Sequence, residues 1–286
     1  MSVSLPQYRK HPRTFRTNRY VYPVVSRRSG GLSIGINLNP DKVCNFDCIY
    51  CQVDRRREAE IRFVDDDRLL SELDATLGLA TSGELFELPE FRSVPEALHR
   101  LNDIAFSGDG EPTTFTNFDE IVAAVADRKQ RLGLTDVKLV LITNASMFHR
   151  PAVQRALRLL DQNNGEIWAK LETGTEEAYR RIARTRIPFQ RVLQNITDAA
   201  KERPLIVQSL FMSIDGSPPP EEEIEAYCQR LRDIVQAGGR IRAVQVYTVA
   251  RPPAEAAVTA LSDDQLRRIA QRIEQTTGLL VHVFGS

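Results

Sequence analysis

Six short, near-continuously apolar runs alternate along this chain with stretches of helical period, and that alternation limits the possible folds more than any other feature. The runs LSIGINL, IAFSG, VKLVLITN, IWAKLE, LIVQSLF and AVQVYTV are rich in β-branched residues, as parallel strands covered on both faces are. Between them, helical patterns are expected over residues 66–80, 117–132, 151–162, 175–200 in pieces, 220–236 and 262–275, with Pro151 suited to a first helical turn. A βαβα order closes into a barrel or opens into a doubly wound sheet, and either form gathers its ligand site at the C-terminal ends of the strands. At 286 residues one domain is the default, preceded by an arm over residues 1–30. The segment 81–101 is expected to be an insertion of loop with about one turn of helix.

The arm carries Arg9, Lys10, Arg13, Arg16, Arg19, Arg27 and Arg28 and no acid, and is expected to be extended. Over the whole chain Lys+Arg and Asp+Glu are both 38, so net charge gives no argument for bulk binding to nucleic acid or membrane. No apolar stretch approaches a spanning length and the start lacks a secretory hydrophobic segment, so a soluble, cytoplasmic protein without a membrane partner is expected. Three of the four cysteines fall within eight residues, too close together to brace distant parts of a fold as disulfides.

Those three, Cys44, Cys48 and Cys51 in VCNFDCIYCQ, are spaced C-x3-C-x2-C just after the first strand expected from the pattern. Three thiolates on one tight loop suit a four-iron cluster with one iron left open, a vacancy that a substrate or cofactor can chelate. Structural zinc is the competing reading, but it wants a fourth ligand, and Cys228 is the one remaining thiol. Cys228 shares a helical face with Ile224, Leu231 and Val235 and reads as a core residue.

With Tyr50 immediately before the last cysteine, the loop resembles the radical S-adenosylmethionine (radical SAM) superfamily. The runs GLSIGINLNPDKVCNFDCIYCQVDR, FSGDGEPTTF, IWAKLETG and VQVYTVARPPAE resemble the branch that groups wyosine-synthase-like proteins with bacterial radical SAM proteins. The resemblance implies a partial (β/α)6 TIM-like barrel over residues 31–286. It also implies a [4Fe–4S] cluster on Cys44, Cys48 and Cys51, S-adenosylmethionine as cofactor, and an external electron donor such as a flavodoxin or ferredoxin. No cysteine precedes Cys44, so the second upstream cluster of archaeal wyosine synthases is not expected.

Further site residues follow from the strand ends. Ser107, Gly108, Asp109, Gly110, Glu111, Pro112 and Thr113 form a Gly-rich, acidic segment, either a plain Asp-Gly turn or a ligand loop. The resemblance assigns Gly110 and Glu111 to the methionine amino group, with Asp109 where the family often has glycine. Thr143, Asn144, Ala145 and Ser146 either bind a ribose or carboxylate or cap a helix. Lys170 and Glu172 alternate along the fourth run, and the resemblance makes Glu172 a ribose contact with Lys170 as its alternative ion-pair partner. Gln208, Gln245 and Tyr247 interrupt apolar runs, either as inner-face ligands or as satisfied core polar groups. Arg251, beside Pro252 and Pro253, is placed to clamp an anion. Arg55, Arg56 and Arg57 either form a basic rim for tRNA phosphates or are simply solvated. The histidines His11, His99, His149 and His282 show no metal-ligand spacing. The resemblance implies reductive cleavage of S-adenosylmethionine to a 5′-deoxyadenosyl radical that abstracts hydrogen from a substrate, either an RNA base or a small molecule or peptide. Two other functions stay open at this level: activation of a partner protein by a glycyl-radical-type mechanism, and a non-catalytic zinc or RNA-binding role.

Overall fold

Each of the six apolar runs forms a strand in the computed structural model, which describes residues 13–53, 55, 64–251, 253 and 255–285. The chain divides into two compact units. The first is Met1–Cys44, Glu58–Ile142 and Pro151–Glu166, and the second is Asn45–Arg57, Thr143–Arg150 and Ile167–Ser286.

In the first unit, β1 (Val21–Ser26), β2 (Gly31–Ile36), β3 (Leu101–Phe106) and β4 (Lys138–Thr143) are neighbours in that order. β1 runs antiparallel to β2, whereas β2, β3 and β4 are parallel. Every residue of β2 is buried, which is why its sequence reads as continuous rather than alternating. α1 (Asp66–Ser82), α2 (Phe118–Arg131) and α3 (Pro151–Asp161) bury stripes at helical spacing, such as Leu69, Leu73 and Leu77 on α1. The Asp65 side chain accepts from the Arg68 N–H at the start of α1, and Gly83 ends it at φ 83°. The inserted segment holds two short 3₁₀ turns, Glu84–Glu87 and Glu96–Leu98.

The described part of the expected arm is fastened rather than loose, and it contains the strand β1, which the sequence pattern did not reveal. Glu72, buried on α1, accepts from the backbone N–H groups of Arg19 and Tyr20 at 3.0 and 2.8 Å and from Val21 at 3.3 Å. Phe15 packs edge-on against Phe91, and Asn18 donates to Thr76 at 3.0 Å. Arg9, Lys10 and His11 lie outside the described residues.

In the second unit, β5 (Gly165–Lys170), β6 (Leu205–Leu210), β8 (Ile241–Tyr247) and β10 (Val281–Phe284) are parallel neighbours, with β7 (Met212–Ile214) and β9 (Val258–Ala260) in an antiparallel pair. The helices are α4 (Glu176–Ala183), α5 (Phe189–Glu202), α6 (Glu221–Gln236) and α7 (Asp263–Thr277). Cys228 is fully buried on α6 beside Ile224, Tyr227, Leu231 and Ile234, as expected of a core thiol. Val235, expected on the same face, is 43% exposed; the buried stripe turns through Ile234 instead. β7, β9 and β10 went unread because they are short and, in β10, half exposed.

Candidate cofactor site

The loop Cys44–Cys51 follows β2, and its three cysteines are partly exposed. The C-terminal end of α4 and the residues just past it serve as its template. Asp47 N–H donates to the Ala183 carbonyl and Ile49 N–H to that of Ile182, both at 3.0 Å, while the Thr185 hydroxyl donates to the Asn45 carbonyl at 2.8 Å. Arg184 turns this segment with φ 44° and pairs with Glu255 at 2.6 Å. The contacts of Ile182 and Ala183 have no sequence signature, because these residues contribute only backbone carbonyls.

Two N–H donors face the last thiol: Val53 N–H lies 3.5 Å and the Arg55 guanidinium 3.7 Å from Cys51 Sγ. Arg56 and Arg57 lie outside the described residues. Among the described residues, no three His, Cys, Asp or Glu side chains stand close enough together to hold a metal ion. The donor set nonetheless fits an iron–sulfur cluster in its chemistry, since three thiols share one loop and N–H groups of Val53 and Arg55 face the sulfur of one of them.

Tyr50, buried among Ile49, Leu210, Met212, Val249 and Val258, donates to Glu172 at 2.8 Å. Burial pushes the Tyr50 phenol well above its ordinary range, with Cys48 and Glu172 adding to the effect. The Lys170 ammonium sits 5.2 Å from the centre of the Tyr50 ring. Burial also raises the Glu172 carboxyl, while Lys170 and the Tyr50 hydroxyl pull it down. β5 ends at Lys170, so Glu172 stands just past the strand rather than within it.

The segment after β4 is locked into a polar ring. Asn144 accepts from the Ser146 N–H at 3.0 Å and from the Ser146 hydroxyl at 2.6 Å, and it donates to Asn45 at 2.8 Å. Asn45 in turn donates to Ser146 at 2.7 Å. Thr143 accepts from the Ala145 N–H at 3.0 Å, and the buried Asn195 donates to the carbonyls of Ala145 and Ser146 at 2.8 and 3.0 Å. Thr143 and Asn144 therefore shape their own loop, and Asn45 ties the cysteine loop to it. Asn45 and Asn195 were not anticipated; position in the cysteine motif was the one available signal for Asn45.

In the first unit, Ser107–Thr113 packs closely on the residues that leave β2. A Cβ on Gly108 would fall 2.2 Å from Asn37 Oδ1, and one on Gly110 would fall 2.0 Å from the Val43 carbonyl. Glu111 is 3% exposed and accepts from the Thr113 N–H and hydroxyl at 3.2 and 2.5 Å. Asp109 accepts from Asn37 at 2.7 Å and pairs with Arg13.

Gln208 and Gln245, expected as inner-face ligands or core polar groups, are both buried. Gln208 donates to Gln245 at 3.1 Å and accepts from the Tyr247 hydroxyl at 3.5 Å, the satisfied-core alternative. The Arg251 carbonyl accepts from Gln52 at 3.4 Å; Pro252 lies outside the described residues. His149 is lowered by burial and by Arg191 and Arg150. Among the described residues, no helix is long and apolar enough to cross a membrane.

An early strand followed by a three-thiol loop, within parallel βα repeats, is the arrangement an iron–sulfur α/β protein needs. The Radical SAM superfamily matches residues 38–231, and the chain belongs to that family. Its cofactors are accordingly a [4Fe–4S] cluster and S-adenosylmethionine. Curated relatives include a protein named GTPase Obg from Brachyspira hyodysenteriae, 24% identical over 94% of this chain and 35% of that protein. Another is a UPF0026 protein of Methanocaldococcus jannaschii, 31% identical over 57% of this chain and 43% of that protein. The chain thus spans less than half the length of either. Among solved structures, a radical SAM methyltransferase from Sphaerobacter thermophilus has TM-score 0.64 at 12% identity, covering 93% of this chain and 69% of that one. TYW1 with a lysine-pyruvate adduct bound has TM-score 0.50 at 13% identity, covering 86% of this chain and 74% of that one. The fold is therefore the partial TIM-like α/β barrel of radical SAM enzymes.

Proposed function

We propose that this protein cleaves S-adenosylmethionine reductively and uses the resulting 5′-deoxyadenosyl radical to abstract hydrogen from an RNA base. The observation that carries the reading is the Cys44–Cys51 loop with Tyr50, lying inside the stretch that matches the family. Cys44, Cys48 and Cys51 are the residues proposed to hold the cluster; when bound, it supplies an electron to the sulfonium of the cofactor.

The chain's own groups then position and shield. Gly108 and Gly110 let backbone approach closely, and the buried Glu111 offers a carboxylate to the methionine ammonium. Glu172, held by Tyr50, is the proposed ribose contact. Thr143 and Asn144 keep the loop after β4 rigid. An external donor such as flavodoxin or ferredoxin supplies the electron, in a cytoplasmic setting where thiols stay reduced. The RNA substrate class rests on the sequence resemblance to the wyosine-synthase branch. Cys228 is enclosed on α6, which leaves a zinc site no fourth thiol.

The test is anaerobic reconstitution with iron and sulfide, reduction with dithionite, and chromatographic assay for 5′-deoxyadenosine. Formation of 5′-deoxyadenosine from S-adenosylmethionine is expected. A colourless protein that takes up zinc but no iron would overturn the proposal.

A further inference from the structure

We propose that Arg13 is a positioning residue for S-adenosylmethionine, acting through Asp109 to hold the Gly108–Glu111 loop. This rests on the cofactor reading above.

Asp109 has both carboxylate oxygens engaged: Oδ1 pairs with the Arg13 guanidinium, and Oδ2 accepts from Asn37 Nδ2 at 2.7 Å. The Asp109 N–H donates back to Asn37 Oδ1 at 3.1 Å, and the same oxygen accepts from the Asn39 N–H at 3.0 Å. Asn37, 1% exposed, is therefore an internal brace between the exit of β2 and the glycine loop. Arg13 adds a second brace from a segment about a hundred residues earlier in the chain. Its backbone is anchored nearby by Phe15 on Phe91 and by the N–H groups that follow on Glu72. The Arg13–Asp109 pair is partly buried, with side chains 27% and 22% exposed, so solvent screens it less than a surface pair.

The charge arithmetic gives the pair its purpose. S-adenosylmethionine presents an ammonium and a carboxylate on the same carbon. Glu111 suits the ammonium, but an uncompensated Asp109 two residues away would repel the carboxylate. Arg13 neutralises Asp109, leaving one net negative charge in the loop.

Hydrogen exchange on the full chain without cluster tests the brace, followed over peptides spanning residues 105–115 in wild type, Arg13→Met, Arg13→Lys, Asp109→Gly and the Arg13→Met/Asp109→Gly double variant. Exchange is expected to quicken about fivefold in Arg13→Met, to be largely restored in Arg13→Lys, and to show no added effect of Arg13→Met once Asp109 is glycine. In reconstituted protein, equilibrium dialysis should show the Kd for S-adenosylmethionine rising about fivefold in Arg13→Met at unchanged iron content, again with no added effect in the Asp109→Gly background. Unchanged exchange in Arg13→Met, or additive effects of the two substitutions, would overturn the proposal. Quickened exchange with an unchanged Kd would reduce Arg13 to a structural pin and overturn the positioning role. Wild-type protein that takes up iron but does not bind S-adenosylmethionine would sink the cofactor reading itself, a failure visible separately from the exchange result.

Discussion

At the scale of single residues, burial decides which polar groups are expensive. Asp103 on β3 is 2% exposed and accepts from the Ser33 hydroxyl, and burial, working against that hydrogen bond, lifts its carboxyl from 3.8 to about 6. Between those values the folded protein keeps a proton that the unfolded chain has released, so stability falls as pH rises through the window and stays lowered above it. Asp103→Asn should flatten that dependence and raise stability at pH 7–8 by roughly 1–3 kcal/mol in urea unfolding; a variant with the wild-type pH profile would refute this. The thiols divide in the same way. Cys48→Ala should abolish iron uptake, whereas Cys228→Ala should leave iron and sulfide content intact and lose about 1 kcal/mol of stability for the emptied core volume. Cys228 was legible as core from its helical neighbours, but the choice of Ile234 over Val235 as its companion was not, because adjacent helical positions differ by 100° and only packing sets which one faces inward.

At the scale of elements, loops are held by groups that belong to other elements. Asn195 on α5 is buried and satisfies the carbonyls of Ala145 and Ser146. Asn195→Leu would leave two buried acceptors unmet, and a loss of about 2–3 kcal/mol is expected from denaturant unfolding. Glycines separate by surroundings in the same manner. Gly110→Ala should lower the melting temperature and weaken S-adenosylmethionine binding, because its Cβ would lie 2.0 Å from the Val43 carbonyl beside Cys44. Gly78→Ala, with open space at an exposed position of α1, should instead stabilise by about 0.5–1 kcal/mol. Element positions were largely readable from period and length. The start of β1 was not, because the buried acid that satisfies its N–H groups stands some fifty residues later on α1.

Across the whole molecule, equal numbers of basic and acidic side chains mean that any RNA contact must come from local charge rather than from bulk attraction. If the substrate is a tRNA base, bulk tRNA should accelerate 5′-deoxyadenosine formation, and the acceleration should weaken as salt rises from 50 to 200 mM, in the manner of phosphate contacts. Acceleration by a small metabolite or peptide, with no response to tRNA, would redirect the substrate assignment while leaving the cofactor chemistry in place.

The sequence by itself determined the six apolar strands and the helices between them, the spacing of Cys44, Cys48 and Cys51 and the burial of Cys228, because each rests on spacing or periodicity within a few residues, while four longer runs carried the resemblance to the family. Tertiary structure alone decided that Arg13 meets Asp109, that Glu72 anchors β1, and that Ile182, Ala183 and Thr185 template the cysteine loop. Those contacts join residues far apart in the chain, several of them through backbone atoms that every residue type carries, so no local pattern can record them.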